Sequence, residues 1–176
     1  MLLGEHVCLG PVLASDRAPL FAWFNDAGQA RMHGSYRPMD ETGFEQWFAG
    51  AGRDPARVVF SIRQKSDLRL LGCVEISEIN SVARTANVGV TIGAEADRDH
   101  GFGHEAIELA IGYSWRDLNL QRLSLAVVGD NPRAVRAYER VGFELEGTMR
   151  RAAYIGGAFQ DITIMGLLRS EAPGDS

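Results

Sequence analysis

A glycine-rich run in the middle of the chain contains the residue types that bind phosphate. Residues 90–106 have the sequence VTIGAEADRDHGFGHEA, in which an apolar stretch leads into glycines and then into helix-forming residues. Small residues allow backbone N–H groups to converge on an anion, and the N-terminus of a helix adds a partial positive charge. The guanidinium of Arg98 can add a bidentate contact to a phosphate. This pattern predicts a binding site for a pyrophosphate.

Three phosphate-binding motifs compete for this run. The segment GFGHEA at residues 101–106 has the form of a dinucleotide fingerprint. That motif needs a tight turn directly after the strand and an acidic residue about 20 positions later, whereas Leu123 and Ser124 stand at that later place. The Gly-Lys-Ser/Thr of a nucleotide-triphosphate P-loop is missing. The segment RDHGFG at residues 98–103 satisfies the third pattern, Arg/Gln-x-x-Gly-x-Gly/Ala, in full. A glycine-rich turn that binds no ligand is the remaining interpretation.

The segment DNPRAVRAYERVGF at residues 130–143 strengthens the ligand-binding interpretation. It resembles the second signature of the GNAT superfamily of acyl-CoA-dependent N-acyltransferases. In that family the asparagine and the Tyr-x-x-x-Gly-Phe run occur at this spacing after the phosphate loop. The resemblance extends over about residues 70–168 and looks closest to the branch that contains ribosomal-protein N-terminal acetyltransferases and spermidine acetyltransferases, while residues 1–56 match less specifically.

The resemblance implies which residues bind acetyl-CoA, the expected cosubstrate. In the family the pantetheine arm lies between two splayed parallel strands and pairs with strand backbone as an added strand would, and the pyrophosphate lies on the glycine loop. Carried over to this sequence, the cofactor-binding residues are Val90, Thr91, Ile92, Arg98, Gly101, Phe102, Gly103, His104, Asn131 and Ala134. Asn131 also precedes a proline and is expected to cap a helix, and the two roles are compatible.

The resemblance also places Tyr138 near the sulfur, as the acid that protonates the leaving thiolate. A phenol, with a reference pKa of about 10, is close enough to a thiol for useful proton donation. Glu75 and Glu78 are the candidate bases, because a carboxylate on an inner strand is costly without a role. Their separation of three positions predicts that they lie on opposite faces, so at most one faces the site. The alternative for Tyr138 is a tyrosine that only packs in the core. The alternative to a glutamate base is a chain of water molecules that removes the proton from the amine.

The expected function is transfer of an acetyl group from acetyl-CoA to a primary amine by direct attack. The acceptor is a protein N-terminus or a small amine, and a polyamine, an amino sugar or an aminoglycoside are the alternatives. Polyamine-acetylating relatives carry extra carboxylates in the first loop and just before the pantetheine strand, where this chain has Ser35, Tyr36 and Asn87. This difference counts against a polycationic acceptor. A sensor that binds acyl-CoA without turnover is the rival class, and the intact motif residues argue against it.

A metal site is not expected. His100 and His104 flank the glycines four residues apart, but neither an HExxH run nor a nearby cysteine accompanies them. Cys8 and Cys73 are too few for a disulfide framework or a four-ligand zinc site. Cys73 is expected to be a small buried residue of a strand.

The elements that must position these residues follow from periodicity and capping signals. Strands are predicted over residues 6–13, 57–63, 70–79, 84–92, 122–128, 143–150 and 159–168, and helices from residue 15, over 41–49, over 103–118 and from 132, with 26–40 as loop. The fold class is α/β, a mixed, strongly twisted sheet of about seven strands with helices on both faces, which is also what the GNAT resemblance implies. One N-acetyltransferase domain is expected over residues 1–170, with a flexible tail at 171–176.

The composition disfavours several classes of partner. The 176 residues carry a net charge of −5 and no basic run that would suit nucleic acid. No apolar stretch approaches the ~20 residues of a membrane span. Residues 1–10 lack the charged start and apolar block of a signal peptide. A cytoplasmic enzyme with an amine substrate is expected, without nucleic acid or membrane as partners, and a homo-oligomer is compatible with these observations.

Overall fold

The computed structural model of the chain describes residues 1–34 and 36–171. Over these residues the strands are β1 (Leu2–Leu3), β2 (Val7–Gly10), β3 (Val58–Gln64), β4 (Leu70–Asn80), β5 (Thr85–Ile92), β6 (Arg122–Val128), β7 (Glu144–Ile155) and β8 (Ala158–Leu168). The helices are α1 (Arg17–Phe24), α2 (Ala27–His33), α3 (Glu41–Gly50), α4 (Phe102–Arg116) and α5 (Pro132–Arg140), with short 3₁₀ turns at Ala14–Asp16, Glu95–Asp97 and Arg169–Glu171. None of the helices in this part of the chain is long and apolar enough to cross a membrane.

The strands form one sheet in the order β1-β2-β3-β4-β5-β6-β8-β7. Every neighbouring pair is antiparallel except β5 and β6, which run parallel. This parallel pair is short, because its register begins at Thr85 and Arg122 and ends at Asn87 and Ser124. On its other side β5 stays paired with β4 as far as Ile92. The sheet therefore opens between β5 and β6.

Helices cover both faces of this sheet, as expected. α4 and α5 pack on one face, where the main core includes Ile62, Ile76, Ile107, Leu123 and Phe143. α1 and α3 pack on the other face around Phe44, which is fully buried. The rings of Phe21, Phe24, Trp47 and Phe48 surround Phe44 with centroid distances of 5.1 to 6.0 Å. The predicted mixed α/β architecture is confirmed.

Two local predictions differ from the structure. The segment 26–40, predicted as loop, contains α2, in which Asp26 caps the helix by accepting a hydrogen bond from the Gln29 N–H at 2.7 Å. Because Gln29 is the residue that this helix buries, its sequence has no apolar periodicity to reveal it. The sheet has eight strands rather than about seven, because the two residues of β1 also pair with β2. Of the predicted tail, Glu171 lies in the last 3₁₀ turn and 172–176 lie outside the described residues; the domain bounds stay a prediction.

A buried ion pair fixes the start of α1 on the sheet. Asp16 is 1% exposed, and its Oδ2 accepts hydrogen bonds from Arg63 Nη2 at 2.6 Å, Ser61 Oγ at 2.7 Å and the Leu13 N–H at 2.8 Å. A buried carboxylate is tolerated only when it is paired and hydrogen-bonded, so this cluster determines where α1 lies. The far end of the helix then places Phe24 at the opening of the sheet.

Candidate active site

A cleft of about 410 Å³ occupies the opening between β5 and β6. One wall includes residues 88–91 of β5, and the other includes residues 124–126 of β6. Within residues 1–34 and 36–171, the edge of β5 beyond Asn87 has no strand partner on this side. An extended ligand that carries amide groups can therefore pair with it as an added strand. Val90 and Thr91, two of the predicted cofactor-binding residues, line this cleft.

The predicted phosphate loop ends at the N-terminus of α4. Gly101 precedes the helix with a φ of 82°, a left-handed conformation that favours glycine. Among the residues that the structure describes, no side chain caps this end of the helix. The first N–H groups of a helix have no partner within it, so the N–H groups of Phe102, Gly103 and His104 are available to an anion.

The first turn of α4 lies against the strand that lines the cleft. A Cβ added at Gly103 would lie 3.5 Å from Ile92 Cγ1 and 3.9 Å from Val90 Cγ2. The fold thus brings together the glycine loop and the end of β5, which are separated in the sequence by the Glu95–Asp97 turn. This arrangement places the first N–H groups of α4 at one end of the cleft, where the sequence predicts the pyrophosphate.

Arg98 lies beneath the loop rather than pointing freely into solvent. Its Nη2 donates to the Gly93 carbonyl at 3.3 Å and to Gln29 Oε1 at 3.4 Å. Its Nε is buried and has no hydrogen-bond partner among the residues described. Arg98 therefore joins the loop to α2 and leaves one donor unsatisfied, while its predicted contact with a phosphate stays a prediction.

Asn131 begins α5, and its Oδ1 accepts a hydrogen bond from the Ala134 N–H at 3.0 Å. The structure therefore shows the capping role, and the contact with a pantetheine arm stays a prediction. Ala134 packs against the main core. The neighbouring Arg133 forms an ion pair with Asp99 of the predicted phosphate loop, which joins the start of α5 to that loop.

Tyr138 projects from α5 into the main core, where its ring lies edge-on to Phe143 at a centroid distance of 6.0 Å. Burial raises the pKa of its phenol above the usual value. The hydroxyl makes no hydrogen bond to any residue that the structure describes. A protonated phenol without a partner suits a proton donor, and its approach to a thioester sulfur stays a prediction.

Glu75 lines the cleft from β4. Its Oε1 lies 3.8 Å from Arg57 Nε, and Arg57 Nη2 donates to the Trp47 carbonyl at 2.8 Å. Burial raises the pKa of Glu75, while Arg57 and a hydrogen bond from Trp47 act in the opposite direction. A carboxyl group with a raised pKa inside a cleft suits a general base.

Glu78 lies at an irregularity of β4 that the sequence does not reveal. Its φ is 53°, and the register between β4 and β5 shifts between Ser77 and Asn80. Across such a bulge the simple alternation of faces does not apply. The exposed Glu78 accepts a hydrogen bond from Asn87 Nδ2 at 2.8 Å, and Asn87 lines the cleft. Glu75 therefore contacts the cleft directly, whereas Glu78 is linked to it through Asn87.

His33 is a cleft residue that the sequence analysis missed. It lies at the end of α2, and its Nε2 is 3.5 Å from Thr91 Oγ1. Desolvation of the ring and the charge of Arg98 lower the pKa of His33, although the residue retains solvent exposure. A neutral imidazole can accept a proton. The histidine stood in a segment predicted as loop, and no motif marked it.

Cys73 also lines the cleft, and it is buried in β4 as predicted. Burial raises the pKa of its thiol to about 12, so it is protonated at neutral pH and is a poor nucleophile. Within residues 1–34 and 36–171, no group of three or more His, Cys, Asp or Glu side chains is arranged to hold a metal ion. His104 instead lies 3.6 Å from Glu108 on the same helix.

Several known proteins are similar to this chain in sequence. A family model described as "Acetyltransferase (GNAT) domain" matches residues 6–144. The spermidine N(1)-acetyltransferase of Vibrio cholerae is 38% identical over 102 residues, which are 58% of this chain and 58% of that protein. The spermidine N(1)-acetyltransferase of Escherichia coli K12 is 34% identical over 90 residues, 51% of this chain and 48% of that protein. The alignments thus span about half the length of these curated relatives.

Solved structures share the fold over nearly the whole chain. The spermidine N-acetyltransferase from Vibrio cholerae in complex with CoA and spermine has a TM-score of 0.88 and 28% identity, and the match covers 96% of this chain and 98% of that one. By sequence, a putative ribosomal N-acetyltransferase of Bacillus subtilis is also similar, with 28% identity over 109 residues, 62% of this chain and 59% of that protein. The resemblance and the fold class predicted from the sequence are confirmed.

Proposed function

Because the chain belongs to the GNAT acetyltransferase family, we propose that it transfers an acetyl group from acetyl-CoA to the primary amine of a small molecule. The observation that carries this proposal is the parting of β5 and β6 beside the uncapped N-terminus of α4. A ligand with amides along an extended arm and a pyrophosphate at one end fits that combination. A single domain over residues 1–170 and a cytoplasmic location are parts of the same proposal.

The residues implied by the resemblance would hold acetyl-CoA along this line. The free backbone edge of Val90 to Ile92 pairs with the arm, and the N–H groups of residues 102–104 bind the pyrophosphate. The Nε of Arg98 is a buried donor without a partner among the described residues. A hydrogen bond to an anion would remove the free-energy cost of this unsatisfied donor. Asn131 keeps its Nδ2 group for the arm, because capping uses its Oδ1.

When bound, acetyl-CoA supplies an activated thioester carbonyl. The chain itself must orient the amine, remove a proton from it and give a proton to the leaving sulfur. Glu75 is the candidate base because it lines the cleft with a raised pKa, and His33 is a second candidate on the same cleft. Tyr138 is the candidate acid, since its phenol is protonated throughout the neutral range.

A polyamine is the acceptor class that the relatives support. Two curated relatives are named spermidine acetyltransferases, and one solved neighbour holds CoA and spermine. In this chain Glu75 lines the cleft and Glu78 is linked to it through Asn87, so two carboxylates are available to a cationic amine. The sequence alone ranks polyamines lower because Ser35, Tyr36 and Asn87 stand where polyamine-acetylating relatives carry acids. The relatives favour the reverse order.

A protein N-terminus is the second candidate acceptor. A relative named as a putative ribosomal N-acetyltransferase favours it. So does the Arg57 guanidinium 3.8 Å from Glu75, because a nearby positive charge weakens the attraction of this carboxylate for a polycation.

The experiment that tests the proposal is thiol release from acetyl-CoA over a panel of amines. The panel contains spermidine, a monoamine, an amino sugar and a peptide with a free N-terminus. We expect turnover, with the highest kcat/KM for spermidine. A peptide that proves best would establish the second candidate. Acetyl-CoA binding without turnover of any amine would indicate the sensor class, and failure to bind acetyl-CoA would overturn the proposal.

Self-association is a further part of the proposal. A solved spermidine N-acetyltransferase from Vibrio cholerae with a TM-score of 0.78 and 27% identity, covering 95% of this chain and 96% of that one, is described as dodecameric. Sedimentation of this chain at several concentrations decides between a monomer and an assembly.

A further inference from the structure

One exposed face of α5 carries three arginines. Arg133, Arg136 and Arg140 have the spacing i, i+3 and i+7, so they lie on the same side of the helix, and all three are exposed. Arg133 pairs with Asp99. Arg136 and Arg140 have neither an ion pair nor a hydrogen bond within the described part of the chain. In a chain with a net charge of −5, this local concentration of positive charge is a candidate anion site.

Arg133 places this basic face beside the phosphate loop. Its guanidinium contacts the carboxylate of Asp99, and Asp99 stands two residues before Gly101 with a φ of 70°. The same end of α5 is fixed by the Asn131 cap. The first turns of α4 and α5 are therefore joined through the loop, and Arg133 lies beside the segment that leads into α4.

Acetyl-CoA carries a second anionic group close to its pyrophosphate. Its 3′-phosphate is carried by the ribose that is attached directly to the pyrophosphate. The guanidinium group presents a planar fork of donors that matches phosphate oxygens. From the proposed function, on which this step rests, we infer that Arg133 and Arg136 bind the 3′-phosphate and make the protein selective for acetyl-CoA over its 3′-dephospho form.

Asp99 is the group that the phosphate replaces. The side chains of Arg133 and Asp99 are 65% and 63% exposed, and an ion pair between exposed side chains is weak. A phosphate monoester carries more charge than a carboxylate and offers more acceptor oxygens. Binding therefore exchanges Asp99 for the 3′-phosphate at Arg133 and leaves the carboxylate in solvent, where it is readily hydrated.

The test compares two ligands on matched variants. Calorimetry measures the dissociation constants of acetyl-CoA and 3′-dephospho-acetyl-CoA for the wild type, Arg133→Ala, Arg136→Ala, the double variant and Arg140→Ala. We expect the wild type to bind acetyl-CoA roughly tenfold more tightly than the dephospho form, because the contacts are charge-assisted but partly exposed to solvent. The double variant should bind the two ligands equally. Arg140→Ala is the control, since it removes the same charge about 10 Å from Arg133 and about 6 Å from Arg136 along the helix and should keep the wild-type ratio.

The possible failures can be told apart. Equal affinity of the wild type for the two ligands would overturn the inference, and so would a double variant that keeps the wild-type ratio. Variants that weaken both ligands by the same factor would show a general effect of charge and would also overturn it. A wild type that binds neither ligand would instead overturn the proposed function. Thermal midpoints confirm that each variant is folded, which is expected because the substituted side chains are exposed.

Discussion

At the residue scale, one physical effect acts on both the candidate acid and the candidate base. Burial raises the pKa of Tyr138 and of Glu75, because removal from water disfavours the charged form of each group. The phenol of Tyr138 is protonated at neutral pH even at its usual pKa, and the upward shift extends the protonated range to higher pH. For Glu75 burial moves the pKa of the carboxyl group towards neutral pH, and a general base is most effective when its pKa lies near the working pH. The two groups differ in their neighbours. Arg57 and Trp47 lower the pKa of Glu75 and so oppose the effect of burial, whereas desolvation alone shifts the pKa of Tyr138.

Removing the hydroxyl of Tyr138 tests the acid. Tyr138→Phe keeps the ring that packs on Phe143, and the described residues form no hydrogen bond that it would break. We expect kcat to fall by about 10² to 10⁴, the usual contribution of a general acid, with acetyl-CoA affinity changed by a few-fold at most. Steady-state kinetics and calorimetry measure the two quantities. Wild-type kcat in this variant, with chemistry shown to be rate-limiting, would exclude Tyr138 as the acid.

The pH profile of Glu75→Gln tests the base. In the wild type, kcat/KM should fall as the pH drops through the raised pKa of Glu75, because protonation removes the base. The variant should have low activity at all pH values and should lack this acidic limb. The same profiles of Glu78→Gln and His33→Gln identify the base if the limb belongs to another group. An unchanged limb in Glu75→Gln would contradict the assignment.

Stability gives an independent check on Glu75, with a defined sign. A carboxyl group whose pKa is higher in the folded state stabilises the fold below its unfolded pKa, and this contribution is lost as the pH rises through the folded pKa. Glu75→Gln removes the ionisable group. Its thermal midpoint, relative to the wild type, should therefore be more favourable at about pH 8 than at about pH 4. The opposite trend would show that the pairing with Arg57 outweighs desolvation.

At the element scale, the motifs predict where elements begin because certain backbone conformations and helix caps require particular residue types. Gly101 adopts the positive φ that its position in the motif requires, and Asn131 caps α5 before the proline. Apolar patterns identify α4 and β6 for the same reason, since both elements bury one face. The elements that form the β5 wall, the β6 wall and the glycine loop beside the cleft were therefore predictable from local sequence.

The positions of His33 and Glu78 were much less predictable. His33 reaches the cleft from α2, a helix that buries Gln29 and shows no apolar stripe. Glu78 is turned by a bulge with a φ of 53°, although strict alternation predicts the opposite face from Glu75. Both features depend on tertiary contacts, because His33 lies near Thr91 and Glu78 is held by Asn87. Residue patterns within one segment carry no information about such contacts.

The start of α5 is the element whose two roles can be separated by mutation. Asn131→Ala removes the cap that receives the Ala134 N–H and should cost about 0.5 to 2 kcal/mol of stability. Asn131→Asp keeps a capping oxygen of equal quality but replaces the Nδ2 donor. If this donor contacts the pantetheine arm, Asn131→Asp should retain the thermal midpoint and lose acetyl-CoA affinity. Calorimetry and thermal denaturation measure both effects, and full affinity in Asn131→Asp would limit Asn131 to capping.

At the scale of the whole molecule, the two substrates approach a surface of opposite local charges. The chain has a net charge of −5, which attracts cations over long range. The basic face of α5 and the α4 N-terminus form a local exception beside the phosphate loop. The parted strands connect this positive region to the cleft that contains Glu75. The fold thus separates a region suited to an anion from a region suited to an amine.

This charge distribution predicts how salt distinguishes the acceptor classes. Spermidine carries about three positive charges at neutral pH, because its amines titrate near pH 10, whereas a monoamine carries one. Raising the ionic strength from about 10 mM to about 150 mM shortens the Debye length from about 30 Å to about 8 Å. If the negative chain and Glu75 recognise a polyamine, KM for spermidine should rise several-fold and KM for the monoamine should change much less, at saturating acetyl-CoA.

Glu75→Gln should reduce the salt dependence of KM for spermidine, since it removes the carboxylate that lines the cleft. Equal salt dependence for the two amines would contradict recognition through charge and would favour an acceptor identified by shape, such as a peptide N-terminus.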